Sequence, residues 1–174
     1  MKWYVFNDKE GNATVNVILD HNTTANVAWN STGSNSEMKE VKIKLEEDTK
    51  DWENTARLIT ANEIAKITGN TGFDANKENQ PWFCLDTNQQ DDTNDCAKAQ
   101  GKSKYAWLFD YTKECTSYGC NVSDSSTWGY WTSTQYVNSI HVWFVARNGR
   151  LDVNSASSTG HGVRPVITIS KSNI

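Results

Sequence analysis

The segment between Tyr136 and His161 gathers the side-chain types that make binding surfaces. Tyr136, Phe144, Arg147, Asn148, Arg150, Asp152, Asn154 and His161 stand among serines and asparagines. Rigid aromatics supply contact area at low entropic cost, and short polar groups supply adaptable hydrogen bonds. This mixture has the composition of a paratope rather than of an active site. It points to ligand binding without naming the ligand.

Catalytic patterns are absent from the sequence. It contains no G-x-G-x-x-G, P-loop, H-E-x-x-H or G-x-S-x-G. His21, His141 and His161 lie far apart and have no ligand spacing, so each reads as a surface or core histidine. Asp91, Asp92 and Asp95 could offer oxygen ligands to Ca²⁺, but a solvated acidic loop is the simpler reading. No metal and no cofactor is implied.

The elements that must position the binding residues can be read from the same stretch. Arg147-Asn148-Gly149 fits a three-residue hairpin loop, a type I turn with glycine in the left-handed position. That loop pairs Ala146 with Arg150, Phe144 with Asp152 and Val142 with Asn154. It buries Trp143, Val145, Leu151 and Val153 on one face and displays Phe144, Arg150, Asp152 and Asn154 on the other. A two-residue Asn-Gly turn is the alternative. It would group Val142, Phe144, Ala146, Leu151 and Val153, and it would oppose Arg147 to Arg150 at a cost in charge repulsion. The three-residue loop is therefore preferred. Tyr136, Asn138, Ser157, Ser158 and His161 come from the flanking loops. The plain alternative is an ordinary solvated hairpin.

Earlier in the chain, residues 3–8 and 13–19 read as a strand pair, with Val15, Val17 and Leu19 alternating inward. Residues 21–35 read as polar loop around Trp29. Residues 36–47 read as a helix with Ser36 as N-cap and Met38, Val41 and Leu45 on its buried face. A second helix follows Arg57-Leu-Ile-Thr60. Thr60 and Glu63 have capping-box spacing, and Gly69 is a natural stop. Residues 71–103 read as a long irregular loop, the kind that is functional or stapled.

The chain carries 174 residues and a formal charge of −4. From Asn121 onward four basic residues face two acidic ones, so the first 120 residues hold −6. An acidic chain without a basic stripe excludes nucleic acid as the expected partner. No apolar run of about 20 residues is present, so direct membrane insertion is not expected. Four cysteines in polar sequence suggest two disulfides, most simply Cys84–Cys96 and Cys115–Cys120; four free thiols are the alternative. Abundant Asn, Thr and Ser with paired cysteines predict an extracellular or cell-surface protein. On that expectation an export signal or anchor would have preceded Met1.

Four motifs carry a resemblance. Leu58-Ile-Thr-Ala-Asn-Glu63, Gly129-Tyr-Trp-Thr-Ser-Thr134, Trp143-x-Val145 with Gly149-x-Leu151, and Gly162-Val-Arg-Pro-Val-Ile-Thr-Ile169 resemble bacterial domains with the C-type-lectin fold. Within that group they are most similar to variable proteins of diversity-generating retroelements, including versions with type IV pilin-like N termini. The resemblance covers residues 52–174. It implies an α+β, C-type-lectin-like fold, with two helices packed on small antiparallel sheets and long loops. A single domain over 1–174 is expected, with 1–51 as N-terminal hairpin and helix and 52–174 as lectin-like core. Trp131, Trp143, Val145, Gly149, Leu151, Gly162, Val163, Arg164 and Pro165 fall at scaffold positions. The eight residues named at the outset fall where such proteins place variable ligand contacts. The implied function is display of a surface that binds a protein or cell-surface target. A structural surface or minor pilin subunit is the second expectation. The fold also distantly resembles formylglycine-generating enzymes, but their chemistry needs a reactive cysteine near the C-terminal end, and none follows Cys120. The Ca²⁺-dependent sugar motifs of lectins are missing too, so the expectation is a protein that is not an enzyme.

Overall fold

The computed structural model describes residues 1–90, Cys96, residues 103–109 and residues 127–174. Its centre is the hairpin of β6 (His141–Ala146) and β7 (Arg150–Ser155). Arg147-Asn148-Gly149 forms the three-residue loop, with Gly149 at φ +82°. Ala146 pairs with Arg150, Phe144 with Asp152 and Val142 with Asn154, the register that this loop requires.

Around the hairpin a six-stranded sheet is assembled. β3 (Thr24–Val27), β4 (Phe83–Cys84), β5 (Gly129–Gln135) and β8 (His161–Val163) join it in the order β3-β8-β5-β6-β7-β4. Most neighbours run antiparallel, but β5 and β8 run parallel, Gly129 opposite His161 and Tyr130 opposite Gly162. The sheet is thus mixed, where small antiparallel sheets were expected. Backbones approach closely there. A Cβ on Gly129 would lie 1.9 Å from the Val145 carbonyl oxygen, and one on Gly162 would lie 2.4 Å from that of Thr24. Only glycine fits at either place.

The closing stretch 162–169 is not one strand. It breaks at Arg164-Pro165, and β9 (Val166–Ser170) leaves for a second sheet with β1 (Trp3–Phe6) and β2 (Thr14–Leu19), ordered β1-β2-β9 and antiparallel. Proline has no N–H to give to a ladder, so the change of sheet falls there.

Two helices pack on this frame. α1 (Glu40–Thr49) starts later than expected. Ser36 does not cap it; instead the Glu40 carboxylate accepts from the Ser31 N–H and hydroxyl. α2 (Ala61–Thr68) has the full capping box of Thr60 and Glu63 and ends on Gly69 at φ +74°. The stretch 21–35, expected to be polar loop, contains β3 and a buried Trp29 whose indole N–H donates to the Thr132 carbonyl at 3.1 Å.

The six-stranded sheet is buried on both faces. One face carries Tyr130, Trp143, Val145 and Leu151 into a cluster with Ile59, Ile64 and Phe83. The other carries Trp131, Val142, Phe144 and Ala146 into a cluster with Trp29, Val41, Leu45 and Leu58. This second layer changes one expectation. Phe144, predicted on a displayed face, is only 7% exposed, because α1, Trp29 and the segment leading into β8 cover that face. Cys84 and Cys96 form a disulfide with Cα atoms 5.6 Å apart. Cys115, Cys120 and the acidic group Asp91, Asp92 and Asp95 lie outside the described residues. No helix among the described residues is long and apolar enough to cross a membrane.

Candidate functional site

Alternation along β6 and β7 sends Phe144, Ala146, Asp152 and Asn154 to one side of the hairpin. Toward the loop, that side is incompletely covered and opens as a pocket of about 360 Å³. Six of the eight residues expected from sequence line it: Phe144, Arg147, Asn148, Asp152, Asn154 and His161. Trp128, Ala146, Ser158 and Gly160 complete the lining.

Each wall has a backbone reason. The Trp128 N–H donates to the Gly160 carbonyl at 2.7 Å, and the Trp128 carbonyl accepts from the Arg147 N–H at 2.8 Å. These bonds hold the residue before β5 between the hairpin loop and the approach to β8. Trp128 is 57% exposed. The Arg147 guanidinium lies 4.2 Å above its ring centroid and donates from Nη1 to the Thr127 carbonyl at 3.2 Å. Such stacking fixes the guanidinium plane.

The inner wall is an aromatic stack. The His161 ring lies flat on Phe144 at 4.1 Å and meets Trp131 edge-on at 4.3 Å. The Asn154 amide is oriented by its Oδ1, which accepts from the Ser155 N–H at 2.8 Å. Asn154 Nδ2 therefore donates to His161 Nε2 at 3.1 Å. In the neutral ring the proton must sit on Nδ1. Burial pushes the His161 imidazole down to about 4, opposed by a backbone interaction with Gly160. At neutral pH the ring is uncharged.

Asp152 is the counterpoint. Burial raises its carboxyl above the ordinary range; the Val153 N–H, donating to Oδ1 at 2.8 Å, and the charge of Arg150 act the other way.

Two expected residues point elsewhere. Tyr136 packs edge-on against Trp143 at 5.4 Å, on the opposite side of the sheet. Arg150 lies 4.3 Å above the Trp82 ring, beyond the pocket wall. Sequence reasoning missed Trp128. Its signal was position: a tryptophan directly before a glycine that opens a strand, with no periodic partner to demand burial. Among the described residues no three His, Cys, Asp or Glu side chains converge as a metal site would require.

The state of His161 has a measurable consequence. Its folded value, about 4, lies below the ordinary 6.5. Between these values the unfolded chain binds the extra proton, so stability falls as pH drops through the window. Its contribution is complete above pH 6.5 and lost by pH 4. The expected loss is about 3 kcal/mol. Asp152 has the opposite sign, because its raised carboxyl favours the fold at low pH. Urea melts of the parent and His161→Gln at each pH separate the two. Their difference should shrink as pH falls from 7 to 4; a difference constant across that range would mean that the ring is not buried neutral.

Two sheets, two helices and an aromatic pocket beside a hairpin loop place the protein among α+β domains that carry a cleft on a mixed sheet. The chain belongs to the family described as Domain of unknown function (DUF6273), whose profile matches residues 3–171. That match runs from β1 through β9 and so includes both sheets. No curated protein and no solved structure matches the chain.

Proposed function

We propose that this protein is a ligand-binding display module with the C-type-lectin fold, of the kind that serves as a variable protein of diversity-generating retroelements. Its target is a protein or cell-surface ligand. The observation that carries this reading is the gathering of Phe144, Arg147, Asn148, Asp152, Asn154 and His161 around one pocket, with Trp128 standing exposed at its rim. Aromatic and arginine side chains dominate binding hot spots because they join large contact area to directional bonding. The α+β architecture of two sheets and two helices supports this reading at the level of fold class.

We read the pocket as non-catalytic. Its base candidate, His161, is 1% exposed and held by Phe144 and Asn154. The Cys84–Cys96 bridge supports an extracellular or cell-surface location, since disulfides persist in oxidising compartments.

The test is capture of a partner from cells or cell-surface extracts, followed by measured affinity. Replacing Trp128 and Arg147 together with Ala should lose at least about 2 kcal/mol of binding, roughly thirtyfold. The melting temperature should fall by no more than a few degrees, because Trp128 is largely exposed, while Arg147 gives up its stack on that ring and its hydrogen bond to the Thr127 carbonyl. Phe144→Ala is the wrong probe, since that ring belongs to the core. Undiminished binding by the double variant would move the site away from the pocket, first to the Trp82–Arg150 stack.

A further inference from the structure

Asp152 stands in the middle of β7, opposite Phe144, and lines the pocket beside Phe144, Ala146 and Trp128. Its carboxylate is half-buried. Among the described residues no ion pair reaches it, and its hydrogen bond is the one from the Val153 N–H. A carboxylate in such a place is ordinarily paired, because desolvation penalises an isolated charge. The two cations nearest in sequence make no ion pair with it among the described residues, although the charge of Arg150 still acts on the carboxyl from a distance. Arg150 lies over Trp82, and Arg147 lies over Trp128 with Nη1 on the Thr127 carbonyl. The pocket therefore presents a carboxylate to its interior, an apolar floor of Phe144 and Ala146, and an exposed indole at the rim.

That arrangement is complementary to a cation carried on an aliphatic stem. The charge meets the carboxylate through charge-assisted hydrogen bonds, and the methylenes cover the apolar floor. A neutral ligand such as a sugar can donate hydroxyls to the carboxylate but brings no further countercharge to it. We propose that the pocket receives a lysine or arginine side chain of a protein partner, its ammonium or guanidinium on the Asp152 carboxylate and its stem against Phe144 and Ala146. The inference rests on the reading of this pocket as the binding site and adds the chemical class of the group that enters it.

The test uses the full chain and small probes followed by NMR. Nα-acetyl-lysine methylamide and Nα-acetyl-arginine methylamide are compared with Nα-acetyl-norleucine methylamide, which keeps the stem and lacks the charge. Glucose and mannose form the sugar arm. At least one cationic probe should shift the Trp128 indole and Gly160 amide signals saturably. Norleucine should bind at least about tenfold more weakly, and so should the cationic probe to Asp152→Asn. Asp152→Ser serves as the second variant if the Asn form fails to fold. Salt at about 0.5 M should weaken the cationic probe as well. Equal binding of norleucine, indifference to the Asp152 substitution, or no saturable shift with either cation overturns the inference. If a sugar alone binds at Trp128, the cation falls and the binding site stands. If none of the probes binds and the Trp128/Arg147 double variant also captures its partner undiminished, both fall.

Discussion

Trp143→Ala should destabilise the protein by about 3–5 kcal/mol in urea melts. The ring is fully buried in the middle of β6, and Val153 stands opposite it on β7. Phe73 meets it edge-on at 5.0 Å and Tyr136 at 5.4 Å. Removing so large a ring from between two other aromatics leaves a cavity that a paired β-strand cannot collapse to fill. Phenylalanine should recover more than half of the loss. It restores most of the volume and removes an indole N–H that has no partner among the described residues. Arg150→Ala, on the other side of the same hairpin, should cost about 1–2 kcal/mol, the value of a half-buried stack on Trp82. A reversed order, with Arg150 the costlier residue, would mean a hairpin shifted by one residue, since one step of register exchanges the two faces.

This pair shows what could be read from the residues alone. The hairpin register followed from local chemistry: a left-handed glycine, a like-charge clash to avoid and an alternating apolar face. The capping box of α2 followed from the Thr60-to-Glu63 spacing in the same way. Elements that depend on distant chain were less legible. Phe144 was expected on a displayed face because alternation assigns sides but does not count layers. The chain that covers it, from Trp29 to α1, lies about a hundred residues upstream. β3 was hidden for a related reason: Thr24–Val27 is too short and too polar to announce a strand, and it exists because β8 offers it a partner. The parallel pairing of β5 with β8 left only the two glycines as its trace. At the pocket, composition identified six lining residues but not the separation of Tyr136 and Arg150 from them. Their departure is decided by Trp143 and Trp82, which offer ring faces elsewhere.

Arg164→Met should cost a comparable amount, about 4 kcal/mol, although it replaces a charged residue with an apolar one of similar length. The guanidinium is fully buried where the chain passes from one sheet to the other. Nε donates to the Leu19 carbonyl at 2.7 Å, Nη1 to Leu108 at 2.8 Å and Nη2 to Trp107 at 2.7 Å. It thus ties the end of β2 to the short 3₁₀ turn Ala106–Leu108. The Tyr130 hydroxyl shares the Leu108 acceptor at 2.8 Å, and burial raises that phenol to about 12, so it remains a donor at any ordinary pH. After substitution Leu108 keeps this partner, while the Leu19 and Trp107 carbonyls each lose a charged donor. A buried group stranded in this way costs about 1–3 kcal/mol. Lysine should rescue less than half of the loss. It retains the charge, but a single ammonium cannot reproduce the planar fork that reaches three carbonyls in two segments. Urea melts give the stabilities, and limited proteolysis should show faster cleavage near residues 106–108 in both variants. If Arg164→Met melts within about 1 kcal/mol of the parent, the three carbonyls find other donors and the junction of the two sheets is held by packing alone.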